Sequence, residues 1–192
     1  AEELEAASSW GRYRDVDGDG IPYRTLPGTH PTKGAYFTRG SSHDENAVYS
    51  EDSDTYVRIM NRLAKKLETA KTLVPGPAFY QENNESEIGV IFFGTSRYAA
   101  EEALDIMRAD GLKIDAMRLK AFPFCKEVED FIDAHKQVFV VEQNRDAQMR
   151  TLLINELEVN PKKLIRVLNF DGTPITADLI IEPISALNLQ SI

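Results

Sequence analysis

The chain has 192 residues, 42% hydrophobic and 28% charged, which suits one ordinary domain or a small domain with a structured extension and allows a buried core. A formal charge of −9 argues against a nucleic-acid surface, because phosphate binding needs clustered Lys and Arg. No apolar run approaches the roughly 20 residues of a membrane helix, and no basic-then-apolar leader opens the chain. The single cysteine, Cys125, cannot form an internal disulfide, in keeping with a reducing cytoplasm. The start at Ala1, without Met, reads as a segment of a longer chain or a processed product.

Residues 1–49 are rich in Gly, Pro, Thr and charge and show no period of 2 or 3.6. So long a stretch without regular elements reads as an extended arm that packs against something else. A helix follows, with Ser53 or Asp54 able to cap it and Tyr56, Ile59, Met60, Leu63 and Leu67 at helical spacing. This arm and helix make up residues 1–72. Two prolines, a glycine and a polar run then make residues 73–87 a linker.

From Ile88 the pattern becomes regular. Ile88 to Phe93 is a continuous apolar run, as expected of a strand covered on both faces. Arg97 to Asp110 reads as a helix burying Ala99, Ala100, Ala103, Leu104 and Met107, with Gly111 as its stop. Ile114 to Leu119 is a second strand, more alternating and so nearer an edge. Pro123 precedes a helix from Lys126 to about His135, and Gln137 to Gln143 is the strongest strand. A helix from about Arg145 to Leu157 carries Met149, Leu152, Leu153 and Leu157 inward. Leu164 to Asn169 is the last strand, and Thr176 can cap a short helix that Pro183 ends or kinks. The alternation predicts an α/β domain over residues 88–192, with a mostly parallel sheet, right-handed crossovers and helices on both faces. Loops at the carboxyl ends of such strands carry function, and here they hold Gly94-Thr95-Ser96 and Glu142-Gln143-Asn144-Arg145.

Four features could carry chemistry. Asp15, Asp17 and Asp19, at alternate positions before Gly20, match the first half of an EF-hand type calcium loop. The second half departs: Pro22 stands at the eighth position and Leu26 where a bidentate Glu is expected. A structural Ca or Mg ion and a plain Asp-Gly turn are both consistent with this. The stretch from Gly28 to Glu45 concentrates Gly, hydroxyls, Lys33, Arg39, His30 and His43, donors suited to a carboxylate or phosphate. It matches no nucleotide-binding glycine signature, and structural hydrogen bonds at an interface explain it as well. Glu142, Asn144 and Arg145 are interface candidates, although such clusters more often cap the next helix, here through Asn144. Cys125, without a second Cys or nearby His, reads as an inert thiol, and His135 as a complement to a helix dipole.

The string from Asp15 to Glu45 resembles the end of the pyrimidine-binding domain in alpha (large) subunits of thiamine-dependent 2-oxoacid:ferredoxin oxidoreductases, 2-oxoglutarate type. Lys71 to Pro75 resembles the join that follows. Arg118 to Phe124 and Phe139 to Leu153 resemble the next domain, which has the transketolase C-terminal fold. Cys125 stands where the family is expected to carry Gly. The resemblance implies an enzyme that decarboxylates a 2-oxoacid on thiamine diphosphate, passes electrons through iron–sulfur clusters to ferredoxin and transfers the acyl group to coenzyme A. It implies a small (beta) subunit holding the diphosphate, Mg and a cluster, a cytoplasmic hetero-oligomer, and no nucleic-acid or membrane partner. This segment would then be inactive alone and mainly architectural. Thr38, Arg39, Ser41 and His43 would be the substrate-contacting candidates if the arm reaches the cleft, with no catalytic residue on the segment. Two rival readings are a cation-stabilised interaction module and the C-terminal domain of another thiamine-dependent enzyme.

Overall fold

The computed structural model describes residues 2–7, 10–33, 42–81 and 86–188, which form two compact units, 1–73 and 74–192. In the first unit, α1 (Glu2–Ala6) and α2 (Ser53–Ala70) flank the arm. The cap of α2 is Asp52, one residue before the expected pair: its carboxylate accepts from the Thr55 N–H, while Asp54 lies in the first turn. The arm is fastened to α2 at one close approach. A Cβ on Gly20 would lie 2.4 Å from the Lys66 nitrogen, so this position admits only glycine, whose φ is +83°. Arg62 donates to the Gly20 carbonyl at 3.0 Å, and the Thr69 hydroxyl donates to that of Asp19. Ile59 is buried, whereas Tyr56, Met60, Leu63 and Leu67 remain 37–50% exposed along one side of the helix.

The second unit is built on five strands: β1 (Ala78–Tyr80), β2 (Ile88–Phe93), β3 (Asp115–Leu119), β4 (Gln137–Glu142) and β5 (Leu164–Leu168). Their order is β1-β3-β2-β4-β5, parallel throughout except for the antiparallel β1. Strand β1 lies inside the stretch read as a linker, because three residues between Pro77 and a polar run are too few to show a period. It pairs with β3, which therefore stands second from the edge of the sheet, near the edge as its alternation suggested.

The parallel strands bury both faces, and the period of two sorts them. Val90, Phe92, Phe139 and Val141 point to one side, with α3 (Arg97–Ala109) and α6 (Ala177–Asn188). Ile91, Met117, Val138 and Val140 point to the other, with α4 (Lys126–Ala134) and α5 (Gln148–Leu157). All five residues assigned to the inner face of α3 are buried. The helix ends as its glycine predicts: Gly111, at φ +86°, gives its N–H to Arg108 and the next residue, Leu112, gives its N–H to Met107, both at 2.9 Å. α6 continues through Pro183, which does not end it.

At the amino end of the sheet lies a buried polar pair. His135 donates from Nδ1 to the Phe131 carbonyl at 2.6 Å, and its Nε2 stands 3.3 Å from Asp115 Oδ2. The ring packs against β2 where a side chain is missing: a Cβ on Gly89 would meet Phe131 at 3.0 Å and His135 at 3.1 Å. Gly89→Val is therefore expected to cost about 1–3 kcal/mol by overpacking. Gly76→Ala, where nothing lies within 4 Å, serves as control; urea denaturation of the two variants checks the difference.

Candidate functional site

Strand order places the switch point of the sheet between β2 and β4, since the crossover after β2 goes to one side and that leading into β4 goes to the other. Ligands of open α/β sheets bind outside the carboxyl ends at that point. Here one exposed side chain bridges the loops on either side of that position. Gln143 donates through Nε2 to Thr95 Oγ1 at 3.0 Å and to Ser96 Oγ at 3.2 Å, and its Oε1 accepts from the Ile175 N–H at 3.4 Å. One side chain thus ties together the turn after β2, the end of β4 and the approach to α6. The sequence named the loop but gave no sign of this clasp.

Glu142, beside it, has no exposed surface. Its Oε1 accepts from the Arg150 N–H at 2.9 Å, and its Oε2 from the Met149 N–H and from Asn144 Nδ2, both at 2.8 Å. A carboxylate aimed at the first free N–H groups of a helix is also favoured by the helix dipole. Glu142 therefore caps α5, the role that sequence reasoning assigned to Asn144. Asn144 supports the same turn, accepting from the Asp146 and Gln148 N–H groups at 3.2 Å. Arg145 stands outward and pairs with Asp146 at 2.8 Å. Of the three interface candidates, Glu142 is internal and Arg145 is open to solvent.

In the first unit, Asp15, Asp17 and Asp19 converge, with one carboxylate oxygen of each within 4.8 Å of the others. Asp15 accepts from the Gly18 N–H at 2.8 Å and the Gly20 N–H at 3.1 Å, and Asp19 from the Ile21 N–H at 2.7 Å. Burial pushes the Asp17 carboxyl up, but hydrogen bonds from the Asp19 backbone and the Tyr23 hydroxyl outweigh it and hold the group below its ordinary value. The charge of Asp17 and its hydrogen bond raise the Tyr23 phenol. Lys65 Nζ approaches the loop from α2, 3.8 Å from where a Cβ on Gly18 would stand. The loop is shaped by these bonds, and its carboxylates keep acceptor capacity for a hard cation.

The described part of the Gly28 to Glu45 stretch does structural work. His30 Nδ1 accepts from the Thr32 and Lys33 N–H groups at 3.1 and 2.9 Å, and Nε2 lies 2.7 Å from Glu5. The His30 hydrogen bond holds the Glu5 carboxyl below its ordinary value. Lys33 donates to the carbonyls of Leu4 and Ala7. His43 stacks on Tyr13 with ring centres 4.0 Å apart. Thr38, Arg39 and Ser41 lie outside the described residues. Burial, then Glu127, raises the Cys125 thiol, which leaves it a poor nucleophile. No described helix is long and apolar enough to cross a membrane.

Sheet order and layers define an open, doubly wound α/β domain. Residues 86–179, most of the α/β unit, match the family model of the pyruvate:ferredoxin oxidoreductase core domain II. Over most of its length the chain is similar to alpha subunits of 2-oxoacid:ferredoxin oxidoreductases. It is 25% identical over 172 residues to the alpha subunit of 2-oxoacid:ferredoxin oxidoreductase 2 from Aeropyrum pernix, covering 88% of this chain and 26% of that one. It is 25% identical over 178 residues to the alpha subunit from Saccharolobus solfataricus, covering 90% and 27%. Its fold matches a 2-oxoglutarate:ferredoxin oxidoreductase from Magnetococcus marinus, solved with 2-oxoglutarate, coenzyme A and succinyl-CoA bound. The TM-score there is 0.81 and the identity 21%, over 95% of this chain and 31% of that one. The chain spans about a quarter of the length of the curated relatives it matches.

Removing the charge and one acceptor oxygen of Glu142 leaves a helix N–H unanswered. Glu142→Gln is expected to destabilise the α/β unit by about 1–3 kcal/mol, seen as a lower denaturant midpoint with unchanged slope.

Proposed function

We propose that the chain is the C-terminal part of the alpha subunit of a 2-oxoglutarate:ferredoxin oxidoreductase, where it organises the assembly and takes no direct part in the chemistry. The observation that carries this reading is that similarity to alpha subunits runs through both units in one order, over 88–90% of the chain. The 2-oxoglutarate subtype rests on the strings Gly28 to Gly40 and Val140 to Gln148. The exposed stripe Tyr56, Met60, Leu63 and Leu67 suits a helix that packs against further polypeptide of such a complex.

Thiamine diphosphate with Mg supplies the carbanion chemistry of this reaction, and iron–sulfur clusters carry its electrons to ferredoxin. One cysteine cannot ligate a cluster that takes four, so this chain does not hold one. Cofactor ligation falls to the beta subunit and to other parts of the alpha subunit, coenzyme A and the 2-oxoacid are the substrates, and the hetero-oligomer works in the cytoplasm in central carbon metabolism. The segment alone is inactive. Arg145 offers a partner subunit an exposed guanidinium at the carboxyl rim of the sheet. Arg39, with Thr38, Ser41 and His43, holds the distal carboxylate of the substrate or a diphosphate.

Reconstitution of the full alpha subunit with its beta partner tests the reading. Viologen reduction dependent on coenzyme A and 2-oxoglutarate, falling sharply with pyruvate, is the expected result. In the same assay Arg39→Ala should raise KM for the 2-oxoacid. Loss of all 2-oxoacid turnover despite bound thiamine diphosphate and intact clusters would leave the fold and remove the function.

The Asp15, Asp17 and Asp19 loop binds a structural Ca or Mg ion in this proposal. A ligand of the native state stabilises it, so excess chelator should lower the thermal midpoint and added cation restore it. An unmoved midpoint under both treatments would return the motif to a turn.

A further inference from the structure

We propose that the first unit does not hold its fold by itself. The apolar side of α2 docks on an apolar surface elsewhere in the same alpha polypeptide, and this docking orders the helix and the arm tied to it. The inference rests on the alpha-subunit reading given above. Among the described residues, the unit spanning 1–73 buries three apolar side chains, Leu4, Ala47 and Ile59; every other buried apolar side chain belongs to the second unit. So few cannot offset the conformational entropy of ordering the segment. Small folds with so little core are usually stapled by disulfides, and the one cysteine of the chain, Cys125, lies in the second unit. The hydrogen bonds that tie the arm to α1 and α2 fix its shape, but each replaces a bond to water and adds little net stability. A cation at the Asp15 loop would tie that loop and leave the side of α2 open, so its stabilising effect belongs to the docked subunit.

What the unit lacks in core it shows on its surface. Tyr56, Met60, Leu63 and Leu67 follow one another at helical spacing and remain 37–50% exposed, with Val57 beside them at 54%. Arg62 and Thr69 hold the arm from another side of the helix, so the stripe is left for a different partner. It carries no charge, which fits an apolar polypeptide surface and not a charged one. The alpha subunits that this chain matches are far longer, since it covers 26% and 27% of them. A surface on the same polypeptide is always at hand. Tethering gives it an effective concentration that a separate subunit lacks, which suits a unit that orders only as it docks.

Hydrogen–deuterium exchange of the 192-residue chain and of the assembled oxidoreductase tests this. In the chain, the amides of α2 are expected to exchange near the rate of unfolded polypeptide while those of β2 and β4 stay protected. In the assembled protein α2 should be protected as well, by at least about a hundredfold over the chain. Leu63→Ser should lose most of that protection in the assembled protein and change nothing in the chain. A photoreactive residue in the stripe, Met60→benzoylphenylalanine, should cross-link within the alpha subunit. Three results would each overturn the proposal: α2 protected in the chain as strongly as β4, α2 exchanging as fast in the assembled protein as in the chain, or a cross-link to the beta subunit. None of these readouts depends on turnover. An assembled protein that acts on a different substrate would remove the function proposed above and leave this test intact.

Discussion

A buried charge organises the carboxyl end of the sheet. Glu142 ends the inner strand β4 with its carboxylate inside the protein, and three donors meet it there: two N–H groups of α5 and the Asn144 amide. An isolated carboxylate could not be buried so completely, so the position of α5 and the fold of the loop are conditions for β4 to end where it does. The next residue, Gln143, extends that order sideways to β2 and to the start of α6. At the switch point of the sheet a single side chain thus holds three connections together.

The first unit is organised on the opposite plan, with little core and many ties. Gly20 sits against the backbone of α2, and Arg62 and Thr69 fasten the same loop from that helix. His30 and Lys33 fasten the following turn to α1. His30 and Lys33, two of the side chains that the sequence offers as anion donors, are therefore already employed. The carboxylates of the Asp15 loop keep acceptor capacity.

The α/β layers were legible because fully covered parallel strands read as apolar runs and their helices carry long inner stripes. Ile88 to Phe93, the inner face of α3 and the stop at Gly111 follow from spacing alone. Strand β1 was not legible, because three residues carry no period and its partner β3 is distant in sequence. The true cap of α2 lies one residue outside the expected pair, since Ser, Asp and Asp stand together there and only geometry chooses among them. Nor could the sequence say that Glu142 turns inward. A glutamate after an apolar strand looks like the start of a surface loop, and its partners are seven and eight residues further on.

Both units thus read as parts that place and hold other parts. The most direct test of that account is the kinetics of the full oxidoreductase whose alpha subunit carries Glu142→Gln, normalised to the amount of assembled complex. An architectural segment predicts less assembled complex, with kcat and KM per assembled site unchanged. Normal assembly with a reduced kcat would contradict it, and would place this end of the sheet in the reaction itself.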